Sequence, residues 1–211
     1  MKNKISINCH SSIKITGDKI IYFDPYNITE TTNDANYVFI THDHYDHLDI
    51  ESITKIINNE TIIIIPNSCA LDFLGKGIIK SSNIIGVDPN EQYTVNNLSF
   101  ETIPSYNTNK EFHKKEYNWV GYIVELNNEK IYVAGDTDIT EENKKVKCDI
   151  ALIPIGGTYT MTKEEGAELI NLIKPKTVIP THYGSIVGKK EDGIAFENLI
   201  NPEIECLILI K

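Results

Sequence analysis

Short apolar, β-branched runs separated by turn residues dominate the first quarter of the chain. Lys4–Cys9, Ser12–Ile15 and Lys19–Phe23 read as strands, with Gly17-Asp18 as a turn and Asp24-Pro25 as a stop. Asn36–Thr41 is a further apolar strand, and it runs straight into a polar cluster. The period then changes. Leu48, Ile50, Ile53, Ile56 and Ile57 fall near helical spacing, which predicts a helix within Leu48–Asn58. Thr61–Pro66 returns to strand character, and a short helix is expected around Ser68–Leu74.

The second half repeats the style. Leu98–Pro104 predicts a strand, followed by a polar loop from Ser105 to Asn118. Trp119–Leu126 and Lys130–Ala134 flank Asn127-Asn128-Glu129, a hairpin signal. Asp149–Ile155 and Lys176–Pro180 read as strands. Thr162-Lys163-Glu164-Glu165 has the capping-box form and opens a helix through Ile173, stopped near Pro175. A helix over Glu191–Ile200 and a strand over Glu203–Ile210 complete the pattern. No linker-like or low-complexity tract interrupts it, so residues 1–211 are expected to form one domain of sheets covered by helices.

Composition removes several function classes. The chain of 211 residues is 41% hydrophobic. At this length roughly 70% of the unfolded surface is buried on folding, so the core needs no disulfides. Cys9, Cys69, Cys148 and Cys206 show no C-x-x-C spacing and are expected to be reduced thiols. All 20 basic side chains are lysines and the formal net charge is −10. Such a chain lacks the guanidinium forks that hold a nucleic-acid backbone, and no nucleic-acid partner is expected. No apolar run approaches the ~20 residues of a membrane span. Met1-Lys2-Asn3-Lys4-Ile5-Ser6 carries two lysines but no apolar core of a leader, so a cytoplasmic protein without a membrane partner is expected.

The candidate chemistry lies at strand ends. Of the 6 histidines, three fall within Thr41-His42-Asp43-His44-Tyr45-Asp46-His47, directly after an apolar strand. Extended backbone would project His42 and His44 to one side, while Asp46 and His47 follow the turn and can face a second ion. Imidazole and carboxylate donors without thiolates suit zinc, with manganese or iron as alternatives, and argue against a closed structural zinc site. Two more strands end in ligand-type residues: Tyr132-Val133-Ala134-Gly135-Asp136-Thr137 and Ile179-Pro180-Thr181-His182-Tyr183-Gly184.

Taken in order, His-x-His-x-Asp-His, Ala-Gly-Asp-Thr and Pro-Thr-His-Tyr-Gly resemble the metallo-β-lactamase superfamily. Asp24-Pro25 and Cys9-His10-Ser11-Ser12 are similar to its branch of ascorbate-6-phosphate lactonase-like proteins. The resemblance implies an α+β, four-layer αββα sandwich with a dinuclear site at one edge. Carried over, His42 and His44 would bind one divalent ion; Asp46, His47 and His182 would bind a second; Asp136 would bridge both. Asp24 would orient the histidine loop through hydrogen bonds. The family's third histidine for the first ion is missing from the strand end Ile103-Pro104-Ser105-Tyr106-Asn107. His113 in the polar loop and His10 near the amino terminus are the two candidates to replace it; His10 could instead contact substrate.

The function expected is hydrolysis of a small ester, lactone or phosphodiester by a metal-bound hydroxide, because a divalent ion lowers the pKa of bound water from 15.7 to about 7. Asp46 would orient that water or receive its proton. Tyr106, Tyr183, His10 and Lys114 are the candidate leaving-group acids. Lys110, Lys114 and Lys115 on the polar loop could attract an anionic substrate. Iron-dependent oxidoreduction on the same fold and a non-catalytic metal-binding protein are the alternatives. A homo-oligomer joined through an edge strand is compatible with the pattern.

Overall fold

The computed structural model describes residues 4–210; Met1–Asn3, part of the stretch read above for a leader, and Lys211 lie outside them. Two sheets form the centre. The first contains β1 (Lys4–Ile7), β2 (Ile13–Thr16), β3 (Ile20–Phe23), β4 (Tyr37–Phe39), β5 (Ile62–Pro66) and β6 (Ile84–Val87), in sequence order across the sheet. The second runs β13 (Glu205–Cys206), β12 (Thr177–Thr181), β11 (Ile150–Pro154), β10 (Glu129–Val133), β9 (Val120–Leu126), β8 (Leu98–Pro104) and β7 (Gln92–Val95). Each sheet is part antiparallel meander and part parallel. β1–β2–β3 pair antiparallel and β3–β4–β5–β6 parallel, while β7–β8–β9–β10 pair antiparallel and β10–β11–β12–β13 parallel.

Alternation along the strands sets the layers. Phe23, Phe39, Ile64, Tyr122, Val124, Ile131 and Leu152 point into the core between the sheets. Their neighbours Tyr22, Val38, Ile63 and Ile65 face outward to a second cluster with Ile53 and Ile56 of α1 (Ile50–Ile56) and Phe73 of α2 (Asn67–Leu74). On the other side, Ile123, Tyr132, Ala151 and Ile153 meet Leu169 and Ile170 of α3 (Lys163–Ile173) and Phe196 of α4 (Asp192–Glu197). Helices thus cover both outer faces, the αββα sandwich expected. No helix among the described residues is long and apolar enough to cross a membrane.

The local signals operate as read. Thr162 and Glu165 complete both halves of the capping box of α3. Asn127 and Asn128 take φ of 54° and 61°, the left-handed pair that a two-residue turn between β9 and β10 requires. Four expectations change. β1 stops at Ile7 because Asn8–Ser12 closes a turn, with Ser12 N–H donating to the Cys9 carbonyl. The last strand is paired only at Glu205–Cys206. β6 and β7 carry no clear period and gave no signal. Finally, the helix expected over Glu191–Ile200 is the shorter α4, because residues 198–200 pass into turn.

One position ties the sheet to the site. A Cβ on Gly121 of β9 would lie 2.5 Å from the Ala134 carbonyl oxygen, directly before the Gly135 turn. Gly121→Ala is therefore expected to destabilise the protein by about 1–3 kcal/mol, read as a lower urea midpoint with an unchanged slope.

Candidate metal centre

Chain direction brings the candidate residues together. β1, β3, β4, β8, β10 and β12 all end at the same edge of the sandwich, and the segments that follow them carry His10, Asp24, the His42–His47 loop, His113, Asp136 and His182. Several of these tips turn sharply: His10, Asp24, Gly135 and His182 have φ of 53°, 45°, 65° and 57°. Such left-handed residues turn the backbone tightly and aim side chains inward, and in non-glycine residues they carry strain.

The donors form two groups. His42, His44 and His113 can bring one ligand atom each within 4.8 Å of one another, and so can His10, Asp46, His47 and His182. Asp136 stands between them. Its Oδ2 lies 2.9 Å from His182 Nε2, 3.3 Å from His113 Nε2 and 4.0 Å from His42 Nε2, and its Oδ1 lies 3.4 Å from His47 Nε2. Burial opposes ionisation of Asp136, but His182, His47 and His113 outweigh it and hold its pKa well below the carboxylate range. Burial would likewise keep His47 neutral, yet Asp136 and Asp24 push its pKa well above the ordinary value. Burial dominates at His42 and His10, which are pushed toward their neutral forms.

Metal fits these residues better than hydrogen bonding does. His10 Nε2, His47 Nε2, His113 Nε2 and Asp136 Oδ1 are buried and make no hydrogen bond. Buried polar atoms are nearly always paired, and a cluster of unpaired ones at one point marks a place for a cation.

Supporting groups fix the rings. Asp24 accepts from Thr41 N–H at 2.8 Å, Thr41 Oγ1–H at 2.7 Å and His47 Nδ1 at 2.7 Å, leaving His47 Nε2 to face the cluster. His113, the residue the sequence could place only as one of two candidates, is held by Asn107. Asn107 Oδ1 accepts from the His113 backbone N–H and faces Nδ1, both at 3.0 Å, while Asn107 N–H donates to the His113 carbonyl at 2.7 Å. His113 is 1% exposed; its ring turns inward while the charged residues on either side of it stay at the surface. Where the family supplies a histidine, Ser105 instead donates to the Asp136 carbonyl at 2.8 Å. His10 joins the Asp46 group, not the His42 group.

Other expected residues lie elsewhere. Tyr183 is fully buried in the core beneath α3 and α4, its ring and hydroxyl packed against Gly193 of α4, away from the donor cluster, so it does not fill the leaving-group acid role expected for it. Tyr106 donates to Glu142 at 2.7 Å. The loop lysines have partners: Lys110 with Asp138, Lys115 with Glu142, Lys114 with Glu111. Asn107 and Trp119 were missed; an asparagine in a polar loop gives no signal. Trp119 read as an ordinary strand residue, yet its ring centroid lies 4.8, 4.9 and 5.5 Å from those of His42, His44 and His113.

Two outcomes follow from these supports. Asp24→Asn is expected to weaken metal binding about 10–100-fold in competition with a chromophoric chelator. Because His47 in the metal-free protein keeps its proton to a pKa well above 6.5, an ion must displace that proton. Affinity should therefore fall as pH is lowered, and loading near neutral pH should release protons detectable in weakly buffered solution.

The β-lactamase superfamily domain family matches residues 4–182 of the chain. A UPF0173 metal-dependent hydrolase of Nanoarchaeum equitans is 30% identical over 220 residues, covering 99% of this chain and 97% of that protein. Another, from Thermococcus onnurineus, is 29% identical over 219 residues, covering 98% and 96%. The crystal structure of a protein from Parabacteroides distasonis, described as a metal-dependent hydrolase, superposes with a TM-score of 0.82 at 28% identity, over 99% of this chain and 94% of that one. The metallo hydrolase Igni18 of Ignicoccus hospitalis shares the fold at a TM-score of 0.77 and 22% identity, over 99% and 95%. Matched along nearly its whole length, the chain belongs to the metallo-β-lactamase superfamily, in its UPF0173 metal-dependent hydrolase family, and is a metal-dependent hydrolase.

Proposed function

We propose that the chain hydrolyses a small ester, lactone or phosphodiester at a centre of two divalent ions, zinc first and manganese or iron as alternatives. The observation that carries this reading is the pair of donor groups on either side of the Asp136 carboxylate, with His10 Nε2, His47 Nε2, His113 Nε2 and Asp136 Oδ1 unpaired. His42, His44 and His113 would hold one ion, Asp46, His47 and His182 the other, and Asp136 both. A divalent ion there supplies a Lewis acid for the oxygen under attack and a water acidic enough to act near neutral pH.

The protein's own groups do the positioning. His44 is the half-exposed member of the donor set, and the Asp46 side chain is 11% exposed, while the remaining donors are closed off. Substrate would approach on the side of His44 and Asp46, beside Tyr45, which is 67% exposed and packs edge-on against Tyr26. Burial would raise the Asp46 pKa, but His10 and His47 outweigh it and hold the carboxyl below its ordinary value. A carboxylate so held is a poor proton acceptor, and its role is to ligate and orient. With the loop lysines already paired, an anionic group on the substrate would be drawn by the ions themselves. The resemblance to lactonase-like proteins puts lactones first. A cytoplasmic site of action and a small-molecule substrate remain part of this reading.

Tyr106 is tied to Glu142, the Tyr183 ring is buried in the core, and Lys114 lies on the exposed loop, which favours substrates whose leaving group departs unaided or stays tethered, as in a lactone. A panel of lactones, aryl esters and bis(p-nitrophenyl) phosphate, assayed with Zn, Mn, Fe and Co, should show turnover that falls steeply as leaving-group pKa rises. Asp136→Asn should lower it by at least about 100-fold, beyond the usual cost of an outer partner. Metal-loaded protein inert on every member, or consuming oxygen with iron, would favour the non-catalytic or the oxidoreductase alternative.

A further inference from the structure

The two donor groups are unequal, and the inequality is His10. The sequence offered this residue only as a substitute ligand for the His42 ion or as a group contacting substrate, and the reading above gives it no ion to bind. It is completely buried. Its Nε2 stands 3.2 Å from Asp46 Oδ2 but makes no hydrogen bond in that direction. Its ring packs at 3.8 Å, tilted 44°, on that of His182. Its other nitrogen, Nδ1, faces Ser185 Oγ at 3.3 Å. With Nδ1–H donating to Ser185, the free lone pair sits on Nε2, the usual arrangement of a metal-bound imidazole.

The backbone supports the same placement. His10 occupies the turn after β1 in a left-handed conformation that glycine adopts more readily. Its carbonyl accepts from the His182 N–H at 3.1 Å, so the two histidines are fixed to one another through the main chain as well as through their rings. The distances suit one ion. With bonds of about 2.0–2.2 Å, neighbouring ligand atoms lie about 3–3.5 Å apart. Asp46 Oδ2 lies 3.2, 3.6 and 3.8 Å from the Nε2 atoms of His10, His47 and His182.

We propose that His10 Nε2 is a ligand of the ion held by Asp46, His47 and His182. The inference rests on the two-ion reading of the site. That ion would then have His10, His47, His182, Asp46 and Asp136 as protein donors, against His42, His44, His113 and Asp136 for the other. The richer site should fill first, and the other should be the one that keeps a position open for substrate.

Cobalt(II) titration of metal-free protein tests this with two readouts besides activity. Absorption of the cobalt ion reports coordination at either site. Fluorescence of Trp119, the single tryptophan of the chain, reports the site of His42, His44 and His113. The expected wild-type result is an absorbance change with the first equivalent and Trp119 quenching with the second. His10→Gln should weaken the first phase tenfold or more, change its absorption band, and leave the quenching phase in place. His10→Ala should do the same and recover the wild-type band when free imidazole is added, which a purely structural role would not allow. If His10→Gln binds two cobalt ions with unchanged affinity and spectrum, the inference falls and the two-ion reading stands. If wild-type protein binds only one ion or none, the two-ion reading itself fails.

Discussion

A carboxylate sealed among imidazoles organises this molecule. Asp136 is 3% exposed and lies within 4.0 Å of ring nitrogens from four histidines. Placed there alone, its charge would carry a large desolvation cost, and it persists because positive charge gathers around it. In the metal-free protein that charge comes from protonated histidine, His47 above all. A divalent cation would replace those protons and satisfy the unpaired atoms together. The outer hydrogen bonds from Asp24, Asn107 and Ser185 then follow, because each imidazole must present a chosen nitrogen.

The sandwich supplies the geometry for this arrangement. Strands of both sheets end at one edge, so residues distant in sequence converge there. The left-handed turns at His10, Asp24, Gly135 and His182 are local departures from favoured backbone, concentrated where the donors meet. Elsewhere apolar alternation divides each strand between an inner core and a helix-covered face. Rigidity of that core matters to the site, since most of the donors sit at or just after strand ends, with His113 on a loop as the exception.

The loop after β8 shows how one candidate donor is placed. Ser105, at the end of β8, ties down the Asp136 backbone, and His113 lies eight residues further on. A donor on a loop needs its own anchoring, and Asn107 gives it by binding both the backbone and the ring of His113. Lys110 with Asp138 and the Thr108 N–H with Asp138 close the same loop against the Asp136 turn. Lys110, one of the lysines expected to attract an anion, instead helps to close the loop that carries His113.

Much of this was written in local sequence. The histidine cluster, the Gly-Asp and Thr-His strand tips, the capping box at Thr162 and the paired asparagines of the β9–β10 turn all act through residues within a few positions of one another. Pattern alone is enough to identify such features. Strand membership of β6 and β7, the short pairing of β13 and the closed state of the His113 loop depend on partners supplied by remote segments. Tyr183 shows the same limit: its neighbour His182 reaches the cluster, while its own ring turns into the core against α4. The sequence by itself determined which side chains could bind metal and that they sit at strand ends. Which of these side chains come close enough to share an ion, and that His10 lies beside Asp46 rather than beside His42, was decided only when strand ends of both sheets met at one edge, because those distances are set by packing between sheets and not by spacing along the chain.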